Sequence, residues 1–279
     1  MENYPALLLE KESERILVIV DLHIGWEVTL AQQGIHVPSQ TPRILEKTMQ
    51  IVEACKPTGI VFLGDVKHAV GKVEMEEWRD VPDFFERVLG KVPDLQVILG
   101  NHDGNLEPLT PRSVKIHPST GIIFSDDIGL FHGHAWPDPR ILGCRTLVMG
   151  HIHPVVMFRD LLAFRVMRQV WVKARCNTKK LAKALLKRSG LRKDVVSYEG
   201  LKTQHNVELG DSQLIIMPSF NDFLGGQAIN RKYMLGRRRL QEDSLGPILR
   251  SGSVDIDNAE VYMLDSTFLG SVRQLRSFA

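Results

Sequence analysis

The sequence predicts an α/β fold whose buried strands deliver polar residues to one edge of a sheet. Three observations predict it: short apolar runs bounded by turn residues, a helical apolar pattern joining the first two runs, and a recurrent tip of Asp, Asn or His after each run. Continuous short apolar runs mark strands covered on both faces. In order, Ile16–Val20 leads into Asp21-Leu22-His23, Ile60–Leu63 into Gly64-Asp65, and Leu95–Leu99 into Gly100-Asn101-His102-Asp103. Ile128–Phe131 then leads into His132-Gly133-His134, and Thr146–Met149 into Gly150-His151-Ile152-His153. In open α/β sheets function collects beyond the carboxyl ends of the strands, so five separate segments would bring their tips to one crevice. Glycine stands at or beside four of the five tips, where it lets backbone approach a small ion without a Cβ in the way.

The connections fit this plan. Thr41 reads as an N-cap with Pro42 at the first helical position; Ile44, Leu45, Thr48, Ile51, Val52 and Cys55 recur at helical spacing before Pro57, which predicts a crossover helix. From Glu74 to Leu89 a second helical pattern is interrupted by Pro82, predicting a kink or two short helices. Near the C-terminus, Val261–Leu264 and Phe268-Leu269 flank Asp265-Ser266-Thr267, the pattern of a hairpin at a sheet edge.

With 279 residues, 43% of them hydrophobic and 24% charged, the chain falls among globular proteins and not among disordered or collagen-like ones. A chain of this size buries roughly three quarters of its unfolded surface, and one domain over residues 1–279 is expected. Met1–Arg15 offers only Ala6–Leu9 as an apolar stretch, too little for a secretion signal. No run approaches the about 20 apolar residues of a membrane span. Cys55, Cys144 and Cys176, odd in number and unpaired in spacing, fit reduced thiols, so a cytoplasmic protein without stable membrane insertion is expected. A net charge of +2 by itself implies no polyanionic partner.

Asp21, His23, Asp65, Asn101, His132, His151 and His153 form a mixed hard and borderline donor set, suited to Mn, Fe, Co, Ni or Zn better than to calcium. Seven donors oversupply one ion; two ions about 3.5–4 Å apart, bridged by one carboxylate, would use them all. Asp65 is the natural bridge. Such a centre hydrolyses phosphate esters by activating a shared water. His102, beside a ligand, is placed to protonate the leaving alkoxide, and Asp103 to orient His102.

These motifs, in this order, resemble the calcineurin-like metallophosphoesterases. The resemblance implies a four-layer α/β/β/α sandwich. It also implies one metal on Asp21, His23, Asp65 and His153, a second on Asp65, Asn101, His132 and His151, and His102 on the scissile phosphate. Gly64-Asp65-Val66-Lys67-His68, Gly133-His134-Ala135-Trp136-Pro137, and Met217-Pro218-Ser219-Phe220-Asn221 with Leu224-Gly225-Gly226 are similar to the ICC-like branch, which includes archaeal proteins and the bacterial DNA-ligase-associated metallophosphoesterases. That similarity covers most of residues 5–160 and resumes over about 211–272. It implies a manganese-dependent phosphodiesterase or single-strand DNA endonuclease in repair, working beside other repair proteins.

Other residues stay open at this stage. Either His132 or His134 could reach the metal, the family pattern favouring His132 and leaving His134 behind it. Lys67 and His68 could touch substrate phosphate or only continue the loop. From Lys173 to Lys193 there are nine basic residues and no acidic one, with Leu181, Leu185 and Leu186 near helical spacing. This reads as a basic helical insertion at about 173–210. Lys179, Lys180, Lys183 and Lys187 on it, and Arg231, Lys232, Arg237 and Arg238 further on, could track single-stranded DNA or RNA, with Tyr233 or Trp171 as stacking platforms; the helix could instead lie on an anionic membrane. Two other functions compete: a phosphodiesterase or phosphatase for a small cyclic nucleotide or nucleotide-lipid, and a non-catalytic protein-binding scaffold. A scaffold has no physical need of seven convergent donors.

Overall fold

The computed structural model describes residues 3–159, 164–188, 207–231 and 245–279. Two sheets form its centre. The first has five strands in spatial order β1 (Ala6–Lys11), β2 (Glu14–Ile19), β3 (Gly59–Phe62), β4 (Asp94–Ile98) and β5 (Lys115–His117), parallel except for the β1–β2 hairpin. The second has seven. It runs from β6 (Ile122–Phe124) through β7 (Ile128–Leu130), β8 (Thr146–Met149), β12 (Asp211–Ile216), β11 (Trp171–Asn177) and β14 (Glu260–Tyr262) to β15 (Phe268–Ser271), with β7, β8 and β12 parallel. A small third sheet joins β9 (Pro154–Arg159) to β10 (Arg165–Gln169) on one side and β13 (Gln227–Ala228) on the other.

The core explains the layering. Val18, Val20, Val61, Leu63 and Ile98 of the first sheet pack face to face with Leu130, Val148 and Met217 of the second. After the short helix α1 (Trp26–Gln32), helices α2 (Thr41–Cys55) and α3 (Met75–Leu89) cover the first sheet's other face, through Ile44, Ile51 and Val52 and through Val81, Phe84, Phe85 and Val88. Phe62 meets both Phe84 and Phe85 edge-on, each pair 5.7 Å apart, and each such buried side chain contributes roughly 1.5–3 kcal/mol. On the second sheet's outer face lie α4 (Thr178–Arg188), α5 (Gly246–Arg250) and α6 (Val272–Leu275), through Leu181, Ile248 and Leu275. The order of layers is α/β/β/α, as expected. Among the described residues no helix is long and apolar enough to cross a membrane.

Several local expectations change. Pro82 lies inside one continuous helix and not at a break between two; a capping box of Glu74 and Glu77 fixes its start. Gln40, not Thr41, precedes α2, and the Thr41 hydroxyl instead donates to Asp80 of α3 at 3.0 Å. The basic stretch expected to be one helix divides. Lys173–Asn177 belong to β11 inside the second sheet, Thr178–Arg188 form α4, and residues 189–206 lie outside the described residues. Val172, Ala174 and Cys176 alternate with exposed or half-buried neighbours, the strand period hidden beneath the charge count.

Candidate metal centre

Asp21 and His23 lie just beyond the end of β2, Asp65 beyond β3 and Asn101 beyond β4, while His132 lies beyond the end of β7, and His151 and His153 beyond β8, of the facing sheet. The two sheets therefore deliver their tips to one place. The loops beyond the strands stay paired: the Asp21 amide donates to the Gly64 carbonyl, that of His23 to Asp65, and that of Gly150 to His132. An added Cβ at Gly100 would run into the Asp65 carboxylate, so only glycine lets the third loop close on the second.

Ligand atoms of Asp21, His23 and His153 lie within 4.8 Å of one another, and so do those of Asp65, His132 and His151. Asp65 Oδ2 is 3.5 Å from both His23 Nε2 and His132 Nε2, and His132 Nε2 is 2.9 Å from Asp21 Oδ1. Asp65 thus faces histidines of both groups, as a bridging carboxylate must. Four donor atoms here, on His23, His151 and His153 (each Nε2) and Asn101 (Oδ1), are buried without a hydrogen-bond partner. Buried polar atoms are rarely left so, and four orphans converging on two carboxylates fit divalent cations of the nitrogen- and oxygen-loving class.

Protonation follows from the same crowding. Burial pushes the Asp21 carboxyl up, but His153 and His132 together outweigh it and hold Asp21 well below the usual carboxylate range. Asp65 has less compensation: burial, with Asp21 beside it, raises it. Burial drives His23 down, and drives His151 down to about 3 with help from His132. His132 resists burial through Asp65 and Asp21 and rises to about 9. In the metal-free protein the His132 proton therefore supplies positive charge between the two carboxylates, and a metal must displace it.

The structure sorts the open residues. His134 Nδ1 lies 2.9 Å from His132 Nδ1, and His68 Nδ1 3.1 Å from His23 Nδ1. Each backs a candidate ligand and holds its ring so that Nε2 faces the centre, the way outer hydrogen bonds orient metal-binding histidines. Lys67 is enclosed by its own loops. Its side chain is fully buried, and its ammonium donates to the carbonyls of Ala69 and His102. Asp103 does not orient the His102 ring. Its oxygens accept the backbone amides of Gly100 and Val66, both at 2.8 Å, and of Lys67 at 3.3 Å, so Asp103 ties two ligand loops together. The His102 ring is held by its Nδ1 on the His68 carbonyl.

Sequence reading missed several supports. Buried Glu77 accepts the amides of His68 and Ala69 at 3.0 and 2.7 Å. Asn221 donates to the Leu22 carbonyl at 3.1 Å, Ser219 to that of Asp21 at 3.3 Å, and His153 Nδ1 to that of Gly225 at 3.2 Å. The Ser219–Gly226 motif therefore braces both Asp21 and His153. Together these loops frame an open cleft of about 440 Å³ lined by His23, Asp65, Asn101, His102, His151 and His153.

No protein-family model matches the sequence, and no curated protein matches it. Among solved structures the chain is similar to nuclease MPE of Pseudomonas putida, at 16% identity and a TM-score of 0.49, covering 93% of this chain and 97% of that one. It is also similar to the E. coli phosphoesterase Yfce, at 18% identity and a TM-score of 0.34, covering 52% of this chain and 73% of that one. The layered architecture rests on the chain's own packing and not on these scores.

The backbone at the centre is strained. Asp21, His23, Asp65, His151 and His153 all have positive φ, between 44° and 71°, a region that costs a residue with a Cβ about 1–2 kcal/mol. His153→Gly and His153→Ala remove the same ring, but only glycine is relieved at a φ of 44°. After allowance for its freer unfolded chain, the glycine variant is expected to be more stable by about 0.5–1 kcal/mol. Urea unfolding with a chelator present checks this; an alanine variant of equal stability would show that His153 is not held left-handed in solution.

The nucleic-acid candidates do not gather at this centre. Asn177, the last residue of β11, pairs with Asp211, the first of β12, whereas the centre lies beyond the last residues of β8 and β12. Helix α4, with Lys179, Lys180, Lys183 and Lys187, thus starts at the opposite end of the sheet. Trp171 is half-buried at the inter-sheet core. Arg231 is exposed beside β13. Lys232, Tyr233, Arg237 and Arg238 lie outside the described residues.

Proposed function

We propose that this chain is a metallophosphoesterase of the calcineurin-like kind: a two-metal phosphodiesterase acting on single-stranded DNA or RNA, as an endonuclease in cytoplasmic nucleic-acid repair. The observation that carries the reading is the convergence of two Asp/His triads, facing each other across Asp65, on four buried donor atoms without partners. Manganese is the ion proposed, with iron, cobalt, nickel or zinc compatible with the same donors. Asp21, His23, Asp65 and His153 would hold one ion, and Asp65, Asn101, His132 and His151 the other. Bound there, divalent ions supply Lewis acidity, drawing charge from phosphate oxygens and making water acidic enough to attack near neutral pH.

The chain's own groups complete the site. His102 lines the cleft, and a carbonyl can only accept, so its bond to His68 requires the proton on Nδ1. To act as an acid the ring must carry a second proton, on Nε2, which it gives to the leaving oxygen. Lys67 and Asp103 keep the loop bearing His102 closed on the loop bearing Asp65.

The test starts from metal-free protein given manganese and offered circular single-stranded DNA, single-stranded RNA, bis-p-nitrophenyl phosphate and p-nitrophenyl phosphate. Cleavage of the circle, abolished by a chelator and restored by manganese, is the expected result, since a closed circle yields only to an endonuclease. Hydrolysis of the small diester alone would point to the small-molecule reading. No hydrolysis with any divalent ion would leave the scaffold.

A further inference from the structure

We propose that the β9–β10 hairpin is a docking rail for the sugar–phosphate backbone of single-stranded nucleic acid leading away from the metal centre. The inference rests on the phosphodiesterase reading and names the surface that would hold a polymeric substrate.

The hairpin grows directly out of the centre. Strand β9 begins at Pro154, the residue after His153, and pairs with Gln227 of β13, itself part of the cleft wall. Near its root Gln169 donates to the Ser219 carbonyl at 2.8 Å. Asn230 clamps the other edge, accepting from the Met157 amide at 3.0 Å and donating to its carbonyl at 2.8 Å. The base is thereby fixed to the loops that carry the candidate ligands.

Beyond the base the surface is basic and exposed. Arg159, Arg165 and Arg168 are all exposed, as are Val166 and Met167 at 38% and 54%; Arg159 and Arg165 share one face of the sheet, and Arg168, three residues past Arg165, lies on the other. Arg159 and Arg165 are direct cross-strand partners. Like charges in that position repel and cost the sheet stability, and among the described residues no carboxylate pairs with either one or with Arg168. Arg231, exposed and adjacent to Asn230, extends the charge across the sheet. An anion that bridges the two arginines would turn the repulsion into binding.

Reach decides what kind of anion. Six residues of strand at about 3.3 Å each put Arg159 roughly 20 Å from His153, far beyond any small diester held in the cleft. A polynucleotide with one phosphate at the centre does extend that far, and the guanidinium fork matches its phosphates bidentately.

The experiment compares wild type with R159Q/R165Q, whose substitutions are both on exposed positions of one face, and with K180Q/K183Q/K187Q on α4. Fluorescence anisotropy with a labelled single-stranded oligonucleotide, in chelator, reads binding without chemistry; bis-p-nitrophenyl phosphate with manganese reads chemistry without docking. The hairpin variant is expected to bind the oligonucleotide at least about tenfold more weakly at low salt, with a log–log salt slope shallower by about 1.4, near 0.7 for each lost phosphate contact. It should hydrolyse the small diester at the wild-type rate. Unchanged oligonucleotide binding, or a loss confined to the α4 variant, would overturn the proposal. So would hairpin-dependent binding to phosphatidylserine vesicles with no oligonucleotide binding, which would make the same arginines a lipid contact. If wild type binds the oligonucleotide through the hairpin yet hydrolyses no diester, the docking surface stands and the phosphodiesterase reading falls.

Discussion

Asp65→Ala is expected to lower metal-dependent diester hydrolysis by about a thousandfold or more. Asp65 faces histidines of both groups, 3.5 Å from His23 and from His132. Its loss removes the bridge and with it several kcal/mol of charge stabilisation, at about 1.4 kcal/mol for each factor of ten. The same carboxylate accepts the His102 amide at 2.8 Å, so the loop bearing the proposed acid loosens as well. A stability measurement separates a lost metal from a lost fold. Saturating manganese at about 100 times its dissociation constant should stabilise wild type by about 2.7 kcal/mol, a rise of several degrees in the thermal midpoint at about 2–4 °C per kcal/mol. The variant should lack that rise while its metal-free midpoint moves little, because a carboxylate raised by burial and by Asp21 contributes little to the metal-free fold. A variant that keeps both the activity and the manganese-dependent rise would remove Asp65 from the bridging role.

Much of this architecture is legible in the sequence because buried strands are short apolar runs whose tips break the pattern. Asp21, His23, Asp65, Asn101, His132, His151 and His153 stand out for that reason, and the structure brings all of them together. What the sequence hides is long-range or conformational. No local signal shows that five of these residues adopt positive φ, since the fold imposes it through paired loops. Asp103 follows His102 in sequence and invites a catalytic pairing, yet the turn sends its carboxylate to three backbone amides instead. Lys67 reads as a free cation until the loops close over it. Charge counting along the chain picks out the run from Lys173, whose first residues, Lys173–Asn177, fold into a strand of the second sheet. Arg159, Arg165 and Arg168 form no run. Arg159 and Arg165 become neighbours only when the two strands pair, which is why this basic pair on the strand leaving the centre escapes a linear reading.

His102→Ala should discriminate between leaving groups, and the size of the difference is the prediction. A positioned general acid contributes about 10²–10⁴-fold when the departing oxygen is a poor leaving group. A deoxyribose alkoxide is such a group; p-nitrophenolate departs without protonation. The variant is therefore expected to lose about a thousandfold in kcat on a single-stranded oligonucleotide, and at least tenfold less than that on bis-p-nitrophenyl phosphate. A residual loss on the small diester would report a contact between the ring and the phosphate, which does not depend on proton transfer. His102→Gln separates those two parts, because an amide can still hydrogen-bond the phosphate but cannot release a proton. If His102 only fills the cleft, both substrates should suffer equally in both variants. The ring is held through Nδ1 by the His68 carbonyl, and the His68 and Ala69 amides are in turn fixed by Glu77. Glu77→Gln should accordingly reproduce the leaving-group dependence of His102→Ala in weaker form, since it loosens the support and leaves the proton-carrying ring in place.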